Sequence, residues 1–193
     1  MTSQFRPALT LFLLLTFLTG ILYPLAVTAV AQAAFPAQAN GSFIAADGRT
    51  LGSELIAQPF ADLRYFWGRP SAAGYNASAS SGSNLGSNNP ALIEAIQARV
   101  DALQAADPMV VEPVETPHPI PVDLVTASAS GLDPHLSVAA ALYQVPRVAH
   151  ERGMDEAAVK ALVEQYTEGR QFGFLGEPRV NVLKLNLALD NAQ

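Results

Sequence analysis

The chain has 193 residues, of which half are hydrophobic, and its 17 acidic and 11 basic side chains leave a formal net charge of −6. This acidic balance argues against a nucleic-acid partner and mildly favours cations. The absence of cysteine excludes disulfides and thiolate metal sites. The length suits one domain with an appendage.

The N-terminal segment is long and apolar enough to cross a membrane. No charged residue occurs from Pro7 to Ala46, and residues 8–30 would form a helix of roughly 34 Å. A hydrocarbon core is only about 30 Å thick, and Arg6 favours a cytoplasmic N-terminus by the positive-inside rule. The predicted boundaries are a cytoplasmic N-terminus at 1–6, a transmembrane helix at 7–31, a linker at 32–41 and an extracytoplasmic domain at 42–193.

A cleaved signal peptide is the alternative to a retained anchor. Ala31-Gln32-Ala33 has the small-x-small form of a cleavage site, but the apolar region of a signal peptide is about 7–15 residues long, which is shorter than this one.

Thr16 and Gly20 form a small-xxx-small pair through which a partner helix can approach. Pro24 predicts a kink. Such residues are also frequent in any membrane helix.

Beyond this segment the chain predicts a small α/β or α+β domain with a mixed sheet and about three helices. Asp47-Gly48 predicts a hairpin, because this pair suits a tight turn between strands. Predicted strands lie at 42–51, on both sides of that turn, and at 54–58, 122–126 and 180–186. Predicted helices begin at Asn89-Pro90, Asp133-Pro134 and Asp155, where a capping side chain precedes the first turn.

Prolines predict two interruptions in this domain. Five prolines within 108–121 predict an extended segment, since neither a helix nor a central strand tolerates them. Pro146 predicts a break in the second helix. The expected buried faces of the first and third helices are Ile93, Ile96, Val100 and Leu103, and Val159, Leu162, Val163 and Tyr166.

Residues 124–137, LVTASASGLDPHLS, combine a predicted strand, a small-residue loop and a predicted helix start. This order can bind an anion at the helix N-terminus, and the candidate residues are Ser128, Ser130, Gly131 and Asp133. A carboxylate at Asp133 would occupy the position of a bound phosphate and repel it. A capped helix is therefore the favoured interpretation over a phosphate cradle.

No motif predicts a catalytic or metal site. The sequence lacks a Walker-type loop and the Asp-Lys-Thr-Gly of P-type ATPases, and Gly82-Ser-Asn-Leu-Gly86 has Asn84 where a nucleophile elbow needs serine. The histidines His118, His135 and His150 lack the spacing of metal ligands.

A combination of segments in a fixed order covers nearly the whole chain. It consists of the single N-terminal span, Tyr65-Phe-Trp-Gly-Arg-Pro-Ser71, the Ser-Gly-Ser-Asn-Leu-Gly run at 81–86, Asp123-Leu-Val-Thr-Ala-Ser-Ala-Ser-Gly-Leu-Asp133, Tyr143-Gln-Val-Pro-Arg-Val148 and Arg179-Val-Asn-Val-Leu-Lys-Leu-Asn-Leu-Ala-Leu-Asp190. In this combination the chain closely resembles the C subunit of the Kdp-type potassium-transporting P-type ATPase.

The resemblance implies an accessory subunit of an ATP-driven potassium importer in a bacterial inner membrane, surrounded by lipid. The implied partners are an ATP-hydrolysing P-type subunit and a channel-like subunit that selects potassium. The resemblance also implies a role in assembly and as a catalytic chaperone that raises the affinity of the P-type subunit for ATP. In that role the residue matching Gln144 contacts the nucleotide, so ATP and potassium are the expected ligands of the complex.

The predicted topology favours a different contribution, because ATP is essentially absent outside the cytoplasm. An acidic outer domain could cover the ion entrance, and the oxygen-rich loop 78–89, with Asn84 and Asn88, could steer a cation or contact a partner. Trp67 and Arg69 are candidate interface anchors. The alternative is that Trp67 belongs to the core and that Arg69 pairs with a nearby carboxylate.

Two other functions remain as alternatives to a pump subunit. One is a secreted hydrolase released by signal cleavage, against which the missing nucleophile and base argue. The other is a membrane-tethered binding or scaffold module unrelated to pumps.

Overall fold

The computed structural model describes residues 4–46, 48–107 and 119–192. The chain divides into two units, Met1–Ser53 and Glu54–Gln193. The segment predicted as extended lies largely outside the described residues, and so does His118.

The first unit begins with one continuous helical stretch, Phe5–Ala34. Its most apolar 18 residues have a mean hydropathy of 2.1, and none of them is buried. It comprises α1 (Phe5–Phe17), a wider π-helical turn (Leu18–Leu22) and α2 (Tyr23–Ala34). The wide turn ends two residues before Pro24 and contains Gly20. The ring of a proline clashes with the carbonyl four residues earlier, which here is that of Gly20, and its nitrogen lacks a hydrogen-bond donor. A short helix α3 (Pro36–Ala39) follows within the segment predicted as a linker.

The predicted hairpin is confirmed. Strands β1 (Phe43–Ala46) and β2 (Arg49–Ser53) pair antiparallel, with an irregularity between Ile44 and Ala45. Gly48 has φ +74°, a conformation that glycine adopts without steric cost. Asp47 lies outside the described residues.

The second unit combines helices with a small antiparallel sheet, so the mixed α/β class is confirmed. Its sheet has the order β3-β5-β4, in which β3 (His135–Ser137) and β4 (Thr167–Glu168) both pair with β5 (Arg179–Asn181). The helices of this unit are α4 (Pro90–Ala106), α5 (Val122–Val125), α6 (Val138–Arg152), α7 (Glu156–Gln165) and α8 (Val182–Asn191).

The core lies where α6, α7 and α8 pack together beside the sheet. Phe66, Leu136, Val148, Val159 and Leu185 are each at most 2% exposed. Burial of one such apolar side chain contributes about 1.5–3 kcal/mol. The core therefore holds α6 and α8 in the positions from which their polar side chains form the site described below.

Helix α4 confirms its predicted start, since Asn89 caps it by accepting a hydrogen bond from the backbone N–H of Ala91. Its predicted buried face is only partly correct. Leu103 is buried, and Ile96 and Val100 pack against the core, but Ile93 is 58% exposed.

The predicted start of the second helix was wrong. Residues 135–137 form β3, and α6 begins at Val138, where Ser137 caps it by accepting from the N–H of Ala140. The predicted break at Pro146 is also absent, because this residue lies inside α6. The neighbouring side chains of Val145 and Val148 are buried, so tertiary packing holds the helix together despite the missing backbone donor.

Three strand predictions were also wrong in whole or in part. Residues 54–58 form turns and irregular backbone, and Val122–Val125 form the short helix α5. The last strand ends at Asn181, whose side chain caps α8 by accepting from the N–H of Lys184. Apolar residues at Leu185 and Leu189 then recur at helical spacing and are buried.

Candidate functional site

The aromatic segment, residues 65–71, is held by two side-chain amides from helices. Asn186 on α8 accepts from the N–H of Phe66 at 2.8 Å and donates to its carbonyl at 3.0 Å. Gln144 on α6 does the same for Trp67, at 2.8 and 3.1 Å. The two side-chain amides thus provide the backbone N–H and carbonyl groups of Phe66 and Trp67 with the hydrogen bonds that a neighbouring strand would otherwise provide.

Gln144 is almost completely enclosed, with 1% of its surface exposed. Besides its two bonds to Trp67, its amide donates to the carbonyl of Ala140 at 3.2 Å and accepts from Arg147 Nη2 at 2.7 Å. A glutamine amide has two N–H donors and one acceptor oxygen with two lone pairs, so its capacity is used. The expected contact between Gln144 and a nucleotide stays a prediction, and it would require the aromatic segment to move.

Arg147 is the central residue that the sequence did not indicate. It is 4% exposed, donates to the carbonyls of Leu63 and Tyr65, and lies 4.3 Å from the centroid of the Trp67 ring. Burial lowers the pKa of the Arg147 guanidinium to about 10, although the nearby carboxylates oppose this decrease. The guanidinium therefore remains charged near neutral pH, and it ties the aromatic segment to α6 through hydrogen bonds and a cation–π contact.

Trp67 and Arg69, the predicted interface anchors, have contacts within the domain. Trp67 is half-buried against the core, and its indole N–H donates to the carbonyl of Asp62 at 3.1 Å. Arg69 Nη1 lies 3.0 Å from Asp133 Oδ2. These contacts match the alternative interpretation of both residues, whereas their proposed role at a partner interface stays a prediction.

Asp133 does not cap a helix, which corrects the interpretation of the 124–137 segment. Its Oδ1 accepts from the backbone N–H of His135 at 3.0 Å, at the start of β3. Burial alone would raise the pKa of this carboxyl group, but hydrogen bonds from His135 and from Arg69 lower it from 3.8 to about 2. Asp133 thus joins the aromatic segment to the sheet.

The candidate phosphate cradle, residues 128–131, is covered by the end of the aromatic segment and by the polar loop 78–89. The N–H of Ser128 donates to the carbonyl of Pro70 at 2.9 Å, and Ser80 Oγ donates to the carbonyl of Ser130 at 2.9 Å. Gly131 has φ +68°, and a Cβ there would lie 2.7 Å from the carbonyl oxygen of Ser81. The close backbone approach is possible only for glycine.

We call the aromatic segment, together with the groups of α6, α8 and residues 128–133 that contact it, the junction. Two buried polar atoms of the junction have no hydrogen-bond partner among the described residues, namely Arg69 Nε and Ser128 Oγ. Ser128 is 2% exposed. Because the helix N-terminus lies several residues further on, at Val138, the four candidate cradle residues do not form a helix-terminal anion site.

An open cleft of about 680 Å³ lies beside Arg69 and Asp133 and is bounded by β3, α5 and the residues before β5. His135 Nδ1 is 3.5 Å from Asp133 Oδ1, and its Nε2 is 4.0 Å from Glu168 Oε2. Arg179 Nε is 3.1 Å from the same Glu168 oxygen. His135, Glu168 and Arg179 therefore form a row of polar contacts across the three strands, which stabilises the sheet edge.

The remaining predicted interface residues lie outside this junction. Asn84 and Asn88 are exposed on the polar loop, and Asn84 has φ +52°. Thr16 and Gly20 are exposed on the apolar helix of the first unit, and nothing lies within 4 Å of a Cβ built on Gly20. Among the described residues no three His, Cys, Asp or Glu side chains lie together as a metal site requires.

Comparison with known proteins identifies the family. The family profile described as K+-transporting ATPase, c chain, matches residues 5–191. The chain is 62% identical to the potassium-transporting ATPase KdpC subunit of Methylococcus capsulatus, with 98% of each chain covered. The KdpC subunit of Sorangium cellulosum is 61% identical over the full length of both chains, and that of Dechloromonas aromatica is 59% identical over 99% of this chain and 98% of the relative. The chain therefore belongs to the KdpC family, the c chains of K+-transporting ATPases.

Proposed function

We propose that the chain is the accessory, single-span subunit of an ATP-driven potassium importer in a bacterial inner membrane, where it stabilises the complex. Potassium is the transported ion, and ATP is hydrolysed on another chain. The observation that carries this proposal is the match to c chains of K+-transporting ATPases over residues 5–191. The absence of an Asp-Lys-Thr-Gly sequence supports hydrolysis elsewhere in the complex.

In this proposal the N-terminus is cytoplasmic and residues 42–193 lie outside the cytoplasm. The apolar helix Phe5–Ala34, in which Arg6 is the one charged residue, supports the membrane span by its length of 30 residues and its hydropathy. Arg6 supports the orientation through the positive-inside rule. The partners are the channel-like potassium-binding subunit and the ATP-hydrolysing P-type subunit.

The chain raises the affinity of the P-type subunit for ATP indirectly, through the conformation in which its folded domain contacts the partner subunits. The contacts of Gln144 support this view, since both amide donors and the oxygen of this buried side chain are used by the aromatic segment, the helix and Arg147. Gln144 is then a positioning residue, which holds Trp67 and the loop after it in a fixed arrangement. The chaperone effect follows from assembly and not from a bond to the nucleotide.

A second contribution concerns the ion entrance. The loop 78–89 is exposed for most of its length and carries amide and hydroxyl oxygens, which are ligands that hard cations accept. Hydrogen bonds such as that between Ser80 and Ser130 hold its first part against the domain. A positioned polar loop beside the channel-like subunit would favour cations over anions near the entrance.

Co-purification with a potassium-uptake assay tests the proposal. We expect the affinity-tagged chain, extracted in mild detergent, to carry both partner subunits and a potassium-stimulated ATPase activity. Cells that lack only this chain should fail to grow at micromolar potassium, and plasmid expression of the chain should restore growth. Isolation of the chain alone from cells that grow normally without it would contradict the proposal.

A further inference from the structure

The loop between β4 and β5 carries three large apolar side chains into solvent. Phe172 is 88% exposed, Phe174 is 70% exposed and Leu175 is 48% exposed. Every residue from 169 to 179 is exposed, so the loop stands away from the core. We call Phe172, Phe174 and Leu175 the apolar tip. Exposed apolar groups that cluster in this way mark binding surfaces, whereas scattered ones need no explanation.

The apolar tip is held in a defined shape. Gln171 and Leu175 exchange two backbone hydrogen bonds of 2.9 Å, and Arg170 Nη2 binds both carboxylate oxygens of Glu177 at 2.9 and 2.7 Å. Phe172 has φ +53°, an unusual conformation for a bulky residue. A closed loop that keeps a strained phenylalanine in solvent is preorganised, and preorganisation lowers the cost of binding.

The exposed area limits what can occupy the apolar tip. With about 200 Å² for each aromatic side chain, the tip can bury on the order of 400 Å². A stable association of two free proteins buries about 800 Å² on each partner. The tip alone therefore cannot hold a second copy of this chain, and it suits a partner that other contacts already keep nearby.

The charges around the apolar tip disfavour a lipid surface. Arg170 is paired with Glu177, and Arg179 is paired with Glu168. Anionic lipid attracts clusters of unpaired basic residues, and the described residues at the base of this loop provide none. An exposed apolar group surrounded by paired charges is typical of an interface anchor that fills a pocket on a partner protein.

We propose that the apolar tip inserts into an apolar pocket of another subunit of the potassium-transporting ATPase and anchors this domain there. The proposal rests on the proposed function, because it requires the chain to be part of that complex. Phe172 and Phe174 provide the contact, and the ion pair between Arg170 and Glu177 keeps the loop closed around them.

The absence of native cysteine makes the test direct. We introduce Phe172→Cys into the full chain and measure its rate of maleimide labelling in the purified complex and in the isolated chain in detergent. Ala161→Cys, on the exposed side of α7, is the control. We expect the complex to slow labelling at residue 172 by tenfold or more and to leave residue 161 nearly unchanged. Equal labelling rates at residue 172 in both preparations overturn the proposal.

Two further labelling experiments test whether lipid or a second copy of the chain covers the apolar tip instead. The isolated chain is reconstituted in vesicles of phosphatidylethanolamine and phosphatidylglycerol, and protection of residue 172 there identifies lipid as the occupant and overturns the proposal. Protection that grows with the concentration of the isolated chain in detergent identifies a second copy and overturns it as well. Reactivity in both of these experiments, with protection only in the complex, supports the proposal.

A substitution test distinguishes failure of this proposal from failure of the proposed function. We expect the double variant Phe172→Ala, Phe174→Ala to reduce the yield of partner subunits at least tenfold, because buried aromatic anchors dominate interface energies. Ile93→Ala, at another exposed apolar residue, should leave the yield unchanged. An unchanged yield with the double variant overturns the tip proposal alone, whereas a native chain without partners overturns the proposed function.

Discussion

The substitution Gln144→Leu tests whether this buried amide has a structural role. Leucine has a similar volume and suits a helix, but it removes both hydrogen bonds to Trp67 and the bond from Arg147. The backbone N–H and carbonyl of Trp67 then lose their partners in a half-buried position, and a buried guanidinium loses one acceptor.

The expected loss of stability follows from these three groups. Each buried polar group without a partner costs about 1–3 kcal/mol. Trp67 is half-buried, and water can reach part of its backbone, so we take the lower part of this range for its two groups. Together with the effect on Arg147, the free energy of unfolding should fall by about 3–4 kcal/mol. For a domain of this size each kcal/mol lowers the melting temperature by about 3 °C, so the expected decrease is roughly 10 °C.

Tryptophan fluorescence measures this effect at the site itself, because Trp67 is the only tryptophan in the chain. The full chain is purified in detergent and unfolded by heat, and the emission maximum is recorded throughout. Gln104→Leu is the matched control, since Gln104 is exposed on α4, and its melting temperature should change by less than about 2 °C. We expect Gln144→Leu to shift the emission of the folded chain to the red.

A melting temperature within 2 °C of the native chain, together with an unchanged emission spectrum, would refute the structural role of Gln144. If that variant also lost an effect of ATP on the complex, direct nucleotide contact would become the better explanation.

Three further substitutions probe the same junction. Gly131→Ala should lower the free energy of unfolding by about 2–4 kcal/mol, because its φ is +68° and the new Cβ would meet a backbone oxygen at 2.7 Å; Gly86→Ala, which has open space around it, is the control in the same thermal assay, and equal melting temperatures would contradict the packing. The Asp133 carboxyl has a pKa lowered to about 2, so its stabilisation is present above pH 4 and is lost as the pH falls towards 2. Asp133→Asn should therefore cost about 1–2 kcal/mol at pH 7 and almost nothing near pH 2 in urea unfolding, and a pH-independent difference would argue against the charge pair. Arg147→Lys, which cannot reproduce the planar fork, should cost about 2–3 kcal/mol, and a native melting temperature would show that charge alone suffices.

Local signals predicted those elements whose geometry depends on adjacent residues. Asn89-Pro90 correctly marks the start of α4, and Asp47-Gly48 correctly marks the hairpin. In these cases the capping side chain or the turn residue determines the backbone within a few positions.

The short apolar runs could not be assigned from local pattern. Residues 180–186 alternate as a strand would, but Leu185 and Leu189 also fit a helix that begins after Asn181. For such runs the period is ambiguous, and tertiary packing decides between the two structures. The same reason explains why Val122–Val125 form a helix and why Pro146 does not interrupt α6.

The junction itself depends on contacts between distant residues. Gln144 and Trp67 are 77 positions apart, and Asn186 and Phe66 are 120 apart. One sequence signal was available, namely an amide on an otherwise apolar helix face. Asn186 lies between Leu185 and Leu189, and a buried amide in such a position needs a polar partner. The identity of that partner could not be read from the sequence.

Single-cysteine labelling tests the orientation of the chain in the membrane, on which the proposed role of the folded unit depends. Gln4→Cys and Ala161→Cys are introduced separately into the chain, which has no native cysteine, and are expressed with the partner subunits. Cells whose outer membrane alone has been permeabilised are treated with a membrane-impermeant maleimide. We expect residue 161 to be labelled in these cells and residue 4 to react only after the inner membrane is opened. The reverse pattern would place the folded unit in the cytoplasm and would overturn the proposed topology.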